Sequence, residues 1–328
     1  MEKLKVGVIG CGHMGSHHVR NYSMELGYFN LIGVYDTDMK QAEKVANQYS
    51  TKAFGDIDLL LSAVDAVSVA VPSSLHKEIG LKVAQHNVHA LIEKPIALNN
   101  EEAQILCQAF EEKNLKLQVG HIERFNPVIT ELEKFLDKDK IFFIEAHRYG
   151  PFSGNGRITD TSVVEDLLIH DIDLVCHIMA GIQVTDVRAN GEKIQSNNID
   201  FVTSMLNFGE CAHAIINASR VSQNKERTIC IHTKDSCIYA DLLTRTLTIS
   251  KETDLTIDGS GDSSYRQNGI VQKIFVPIQE PLRRELLSFY SSIIDGTPIV
   301  VTGQMGINAI RICEKVIDRI NNQICGKY

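Results

Sequence analysis

Leu4–Ile9 is a short unbroken apolar run, and the residues directly after it read Gly10-Cys11-Gly12-His13-Met14-Gly15. That run followed by that glycine spacing predicts a strand turning sharply into a helix. Gly10 permits the tight turn, Gly12 lets main-chain amides approach a bound group closely, and Gly15 lets the helix pack against the sheet. A second apolar run, Leu31–Tyr35, ends at Asp36, about twenty residues beyond Gly15, which is the spacing of a dinucleotide fingerprint. The helix N-terminus then faces a pyrophosphate, and the acid accepts hydrogen bonds from the ribose hydroxyls. Gly10, Cys11, Gly12, His13, Met14, Gly15 and Asp36 are therefore expected to bind a cofactor. The Asp36 charge, with Asp38 adding to it, repels a 2′-phosphate, so NAD is expected rather than NADP.

Up to about residue 120, short apolar strands alternate with amphipathic helices, the pattern of βαβ units around a parallel sheet. Strands are expected at Leu4–Ile9, Leu31–Tyr35, Ala66–Val71, His89–Ile92 and Leu115–Val119. Helices are expected between them, at Gly15–Tyr22, Met39–Tyr49, Ile57–Ser62, Lys77–His86 and Asn99–Lys113. Right-handed crossovers place a ligand at the carboxyl ends of such strands, where Pro72, Ser73 and Glu93-Lys94-Pro95 also fall. After Gly120 the rhythm changes to a long helix over Val163–Met179 and then successive strands with short connections, which read as mostly antiparallel. Asp254–Gly269 reads as an exposed loop, and helices over Leu282–Ile294 and Gln304–Asn322 close the chain. The expected architecture is α/β, with a Rossmann parallel sheet over residues 1–121. Residues 122–328 are expected to form an α+β domain on a largely antiparallel open sheet, for substrate binding and oligomerisation.

A formal net charge of -8 without clustered Lys and Arg argues against a nucleic-acid partner. The eight cysteines include no C-x-x-C pair, which fits neither a zinc ribbon nor a small disulfide scaffold, so a reducing cytoplasm is the simpler reading. No signal segment or bilayer-length apolar stretch is seen, and no membrane partner is expected. None of the histidines shows H-E-x-x-H or Cys-partnered metal spacing, and no metal is expected.

Lys94, at a strand end where Pro95 stops pairing, can hydrogen-bond a substrate hydroxyl and stabilise charge as a hydride departs. A surface lysine in a turn is the alternative. Asp166 and His170, spaced i and i+4 on a helix, share one face, so the carboxylate can orient the imidazole as a base near neutrality. An exposed helical pair is the alternative there. Asp173 lies three residues after His170 and can support it, whereas Asp171 is expected to point away into solvent. His76 can line the nicotinamide site, although a histidine in a first helical turn is commonly structural. His17 and His18 read as packing residues of the first helix. Arg124 is expected to bridge domains or touch ligand. Arg148, Tyr149 and Arg157 flank a Gly-rich connection, where two guanidiniums can clamp a diphosphate bidentately, against the alternative of ordinary surface arginines.

Taken together, Gly10 to Gly15, Glu93-Lys94-Pro95 and Asp166-Leu167-Leu168-Ile169-His170 resemble the motifs of the Gfo/Idh/MocA oxidoreductases over essentially the whole chain. The resemblance implies Lys94, Asp166 and His170 as the catalytic set, and a homodimer or homotetramer formed through the open face of the second sheet. Gly120-His121-Ile122-Glu123-Arg124-Phe125-Asn126-Pro127, His170-Asp171-Ile172-Asp173, Arg157-Ile158-Thr159-Asp160 and Leu242-Leu243-Thr244-Arg245 are similar to strings of the UDP-N-acetylglucosamine 3-dehydrogenase branch. The implied reaction is NAD-dependent oxidation of a secondary hydroxyl of a sugar or sugar nucleotide, foremost at C3 of a UDP-linked N-acetylhexosamine, with His170 or Lys94 taking the hydroxyl proton. A free-sugar or inositol dehydrogenase, and an NAD-binding sensor without chemistry, are the competing readings.

Overall fold

A computed structural model describes residues 3–25, 27–152, 161–210, 212–257 and 265–325. They divide into two units, the first formed by residues 1–125 and 280–311, the second by residues 126–279 and 312–328. A single boundary near residue 121 therefore does not describe the chain, which leaves the first unit and returns to it.

In the first unit β1 (Leu4–Ile9), α1 (His13–Met24), β2 (Phe29–Tyr35), α2 (Met39–Gln48), β3 (Lys52–Phe54), α3 (Ile57–Leu61) and β4 (Ala66–Val69) follow in order. They are followed by α4 (His76–Gln85), β5 (His89–Glu93), α5 (Asn100–Glu111) and β6 (Leu117–Gly120). The strands lie in the order β3-β2-β1-β4-β5-β6 and every pairing is parallel, which is the doubly wound Rossmann arrangement. Strands of such a sheet are covered on both faces, which explains why they read as unbroken apolar runs. Val6 and Val8 of β1 enter a core with Val19, Tyr22, Phe29 and Val45. On the other face Ile9, Val67, Val69 and Ile92 join Leu60, Val83 and Leu106. The three-residue β3 is too short to carry a periodicity of its own, and sequence reading passed over it.

The second unit contains α6 (Pro127–Glu133), β7 (Ile141–Tyr149), α7 (Ile169–Ile178), β8 (Asp186–Glu192), β9 (Phe201–Phe208), β10 (Ala212–Ser219), β11 (Glu226–Thr233) and β12 (Ser236–Asp241). Beyond these come β13 (Thr246–Ile257) and β14 (Tyr265–Phe275). Sheet order is β14-β13-β12-β11-β7-β10-β9-β8, antiparallel throughout except for the parallel β7–β10 pair. Along β7 and β9 buried and half-exposed residues alternate, so α7 covers one face and the other stays open.

The two closing helices are α8 (Pro281–Ile294) and α9 (Gly303–Cys325). Leu282, Leu286, Phe289 and Tyr290 give α8 an apolar stripe, and it is buried in the first unit's core, with Tyr290 edge-on to Tyr28 and Phe29. That burial is the physical reason the first unit extends past residue 121.

Asp254–Gly269 departs from expectation. Strand residues occupy 254–257 and 265–269, where main-chain pairing of β13 with β14 outweighs a weak local preference, and 258–264 lie outside the described residues. The expected helix over Val163–Met179 is also interrupted, opening with a π-turn at Val164–Leu168 before α7 begins. Just before that turn the Ser162 main-chain N–H and hydroxyl both donate to Glu165 Oε2. No helix among the described residues is long and apolar enough to cross a membrane.

Candidate active site

The turn from β1 into α1 depends on two glycines. Gly10 has φ +92°, and a Cβ there would stand 2.5 Å from the Ala70 carbonyl oxygen. A Cβ on Gly15 would lie 1.8 Å from the Gly10 carbonyl oxygen, so the helix approaches the turn as closely as a bare backbone permits. Gly12 is the N-cap of α1 and supplies no side-chain cap, which leaves the first-turn amides of His13, Met14 and Gly15 to be met by an anion. Asp36 is held in place: its Oδ2 accepts from Cys11 N at 2.7 Å and its Oδ1 from Asp38 N at 2.8 Å. A carboxylate has about four acceptor sites, so lone pairs remain for two ribose hydroxyls. Cys11 is inert there, because burial and the Asp36 charge push its thiol up to about 12. Asp38 has a structural duty as the N-cap of α2, accepting from Lys40 N and Gln41 N. Bare helix end, glycine turn and oriented acid together fit a dinucleotide.

Pro72 and Ser73 lie just beyond β4, on an exposed turn leading into α4. His76, expected to line the nicotinamide site, is buried against two main-chain carbonyls. Its ring is 1 % exposed and spans Val71 O (3.0 Å from Nε2) and Pro95 O (2.6 Å from Nδ1), tying the β4 and β5 ends together. Burial lowers its pKa, so the ring is neutral and owns one N–H for two carbonyls.

Lys94 is half-buried at the end of β5, directly after the buried Glu93. Glu93 ends a polar chain that sequence reading missed. His18 Nε2 is 2.9 Å from Glu93 Oε1, His18 Nδ1 is 2.9 Å from Ser68 Oγ, and Ser68 Oγ is 2.8 Å from the Tyr22 hydroxyl. Burial works against the Glu93 charge, but the His18 hydrogen bond and the nearby charges, Lys94 among them, outweigh it and hold the carboxyl below its ordinary value. Glu285 of α8, fully buried close by, goes the other way. Burial and the Glu93 charge raise it well above the ordinary value of 4.5, and neither of its oxygens has a hydrogen-bond partner among the described residues. Lys94 thus follows an ionised acid that has a second, neutral acid near it.

In the second unit Asp166 belongs to the π-turn and His170 to the first turn of α7, and both are half-buried. Widened turns of this kind recur at functional sites. Asp171 is not solvated: it is 1 % exposed and receives Arg148 Nε and Nη2, each at 2.8 Å. Arg148 is itself 2 % exposed, so the expected diphosphate clamp is a buried ion pair between β7 and α7. Strand alternation puts Tyr149 on the opposite face, its hydroxyl 2.9 Å from His147 Nδ1. Asp173 is also buried. Arg124 is 7 % exposed inside the first unit, with Nη1 against Met305 Sδ. Arg157 lies outside the described residues.

These features define a dinucleotide-dependent oxidoreductase. Residues 4–121 match the family described as oxidoreductase, NAD-binding Rossmann fold, of the Gfo/Idh/MocA type. The chain is 35 % identical over 259 residues to a UDP-N-acetylglucosamine 3-dehydrogenase of Acidithiobacillus ferrooxidans, covering 79 % of this chain and 80 % of that one. It is 24 % identical to a scyllo-inositol 2-dehydrogenase (NAD(+)) of Bacillus subtilis, over 67 % of this chain and 68 % of the other. The solved structure of the Acidithiobacillus ferrooxidans enzyme GnnA superimposes with a TM-score of 0.88 at 31 % identity, over 98 % of this chain and 99 % of that one. The chain belongs to the Gfo/Idh/MocA oxidoreductase family, and NAD is its cofactor.

Proposed function

We propose that the chain oxidises the C3 hydroxyl of a UDP-linked N-acetylhexosamine. The observation that carries this reading is its likeness to the UDP-N-acetylglucosamine 3-dehydrogenase, which extends over both units in sequence and in fold. Bound NAD⁺ supplies the hydride acceptor. Gly10 to Gly15 hold the pyrophosphate and Asp36 the ribose. The Lys94 ammonium donates a hydrogen bond to the reacting oxygen and stabilises the charge that builds on it. His170 takes the hydroxyl proton, and Asp166 holds the ring in the orientation that accepts it. C3 loses its hydrogen as hydride and becomes a ketone carbon. With Arg148 engaged by Asp171, Arg157 is the arginine assigned to the diphosphate. The protein works in the cytoplasm as a homodimer or homotetramer built through the open face of the second sheet.

Initial rates with UDP-N-acetylglucosamine, free N-acetylglucosamine and scyllo-inositol test the substrate. The UDP-sugar should give the highest kcat/KM, and a preference for inositol would favour the second reading, to which the inositol dehydrogenase likeness points. Lys94→Met should lower kcat by about 10²- to 10⁴-fold while leaving the NAD Kd within about twofold. Unchanged turnover would remove Lys94 from the mechanism.

A further inference from the structure

Away from the dinucleotide site, the open face of the second sheet carries a group of soft ligands. Cys230 and His232 stand two apart on β11 and point to the same face. Strand register places Cys237 of β12 directly opposite His232, and Glu145 of β7 directly opposite Cys230. All four side chains are half-buried. Cys230 Sγ lies 3.3 Å from Cys237 Sγ and 3.4 Å from His232 Nε2, and that nitrogen lies 3.8 Å from Glu145 Oε2. The three Cys and His donor atoms fall within 4.8 Å of one another.

We infer that Glu145, Cys230, His232 and Cys237 form a tetrahedral site for a borderline-soft divalent cation, with Zn²⁺ the natural occupant. Zn–S and Zn–N bonds of about 2.3 and 2.05 Å at tetrahedral angles separate two sulfurs by ~3.8 Å and sulfur from nitrogen by ~3.6 Å. The two spacings to Cys230 Sγ are a few tenths of an ångström shorter, a difference that small side-chain rotations absorb, and the half-exposed Glu145 carboxylate, 3.8 Å from His232 Nε2, closes in by rotating toward the ion. Two thiols, an imidazole and a carboxylate favour Zn²⁺ over Mg²⁺ or Ca²⁺, which prefer oxygen cages. Four protein donors leave no open position, so the ion is structural, clamping β7, β11 and β12 together. Binding sends the two thiol protons to solvent. The expectation of no metal rested on C-x-x-C and helical His spacings, whereas strand ligands repeat every second residue and cross to the neighbouring strand.

Fully reduced, tag-free protein titrated with Co²⁺ under argon tests the site independently of the proposed activity. One Co²⁺ per chain should bind, giving the visible bands of a tetrahedral ion and thiolate-to-cobalt absorption in the near ultraviolet, and Zn²⁺ should abolish both. Cys237→Ser should lose about half of the thiolate absorption and weaken Zn²⁺ binding at least tenfold, with turnover unchanged. Its unfolding midpoint without metal checks that it folds; should it not, His232→Gln serves in its place. Zn²⁺ should raise the wild-type midpoint and leave the variant's where it is. Absence of a saturable cobalt spectrum in the reduced protein, or a spectrum undiminished in a folded variant, would overturn the assignment.

Discussion

The two units bury charge in opposite ways. The first unit places an ionised Glu93, directly before Lys94, near a neutral Glu285 and at the end of the His18–Ser68–Tyr22 chain, and burial together with neighbouring charge sets the protonation of the two acids. The second unit buries its charge as matched pairs: Arg148 with Asp171, and Arg220 with Asp200. Asp200 is the extreme case. It accepts from Arg220 Nε, Ser196 Oγ and the main-chain amides of Ile194, Gln195 and Ser196, and although burial opposes its charge these bonds hold its carboxyl far below the ordinary range. One arrangement is poised to respond to protons, and the other is insulated from them.

The largest effect should come from breaking an insulated pair. Arg220→Met leaves the Asp200 charge buried with one fewer donor and should cost about 3–5 kcal/mol in urea unfolding. Asp200 has a depressed folded pKa, so its stabilisation is fully present above the unfolded value of 3.8 and is lost only as pH falls below it. The cost should therefore be the same at pH 5 and pH 8; a strong dependence between them would erase the contrast. His18→Gln is a smaller change, about 1–3 kcal/mol, but it reaches turnover. Losing the hydrogen bond and charge of His18 raises Glu93, and the acid limb of the kcat profile should move to higher pH. An unmoved profile would reduce His18 to packing.

The smallest effect has the opposite sign. Glu285 has a raised folded pKa, so above the unfolded value of 4.5 the unfolded chain gains by ionising and the folded chain does not. Glu285→Met should stabilise the protein by about 1 kcal/mol at pH 8, with the gain shrinking as pH approaches 4.5. A destabilised variant at pH 8 would mean that the carboxyl is engaged after all.

The glycine turn and Asp36 were legible because they are local requirements: a positive φ, a close helix approach and an acid at a strand end leave marks within a few dozen residues. Lys94 was visible for the same reason. His18 was not, because its partner Glu93 is 75 residues away and only the fold joins them. The available signal was a serine, Ser68, inside the apolar strand Ala66–Val69, facing a helix that carries His18 and Tyr22 at i and i+4. Arg148 and Asp171 were misread together, since neither local pattern shows that strand alternation turns the arginine inward onto α7. The stripe on α8 announces burial without saying against which core.

The proposed reaction moves hydride from C3 of a UDP-linked N-acetylhexosamine to NAD⁺. UDP-N-acetylglucosamine deuterated at C3 alone, incubated with the protein and NAD⁺, tests it by mass spectrometry of the reduced cofactor. One deuterium is expected in each NADH formed. NADH without deuterium, or no reduction at all, would contradict that reaction.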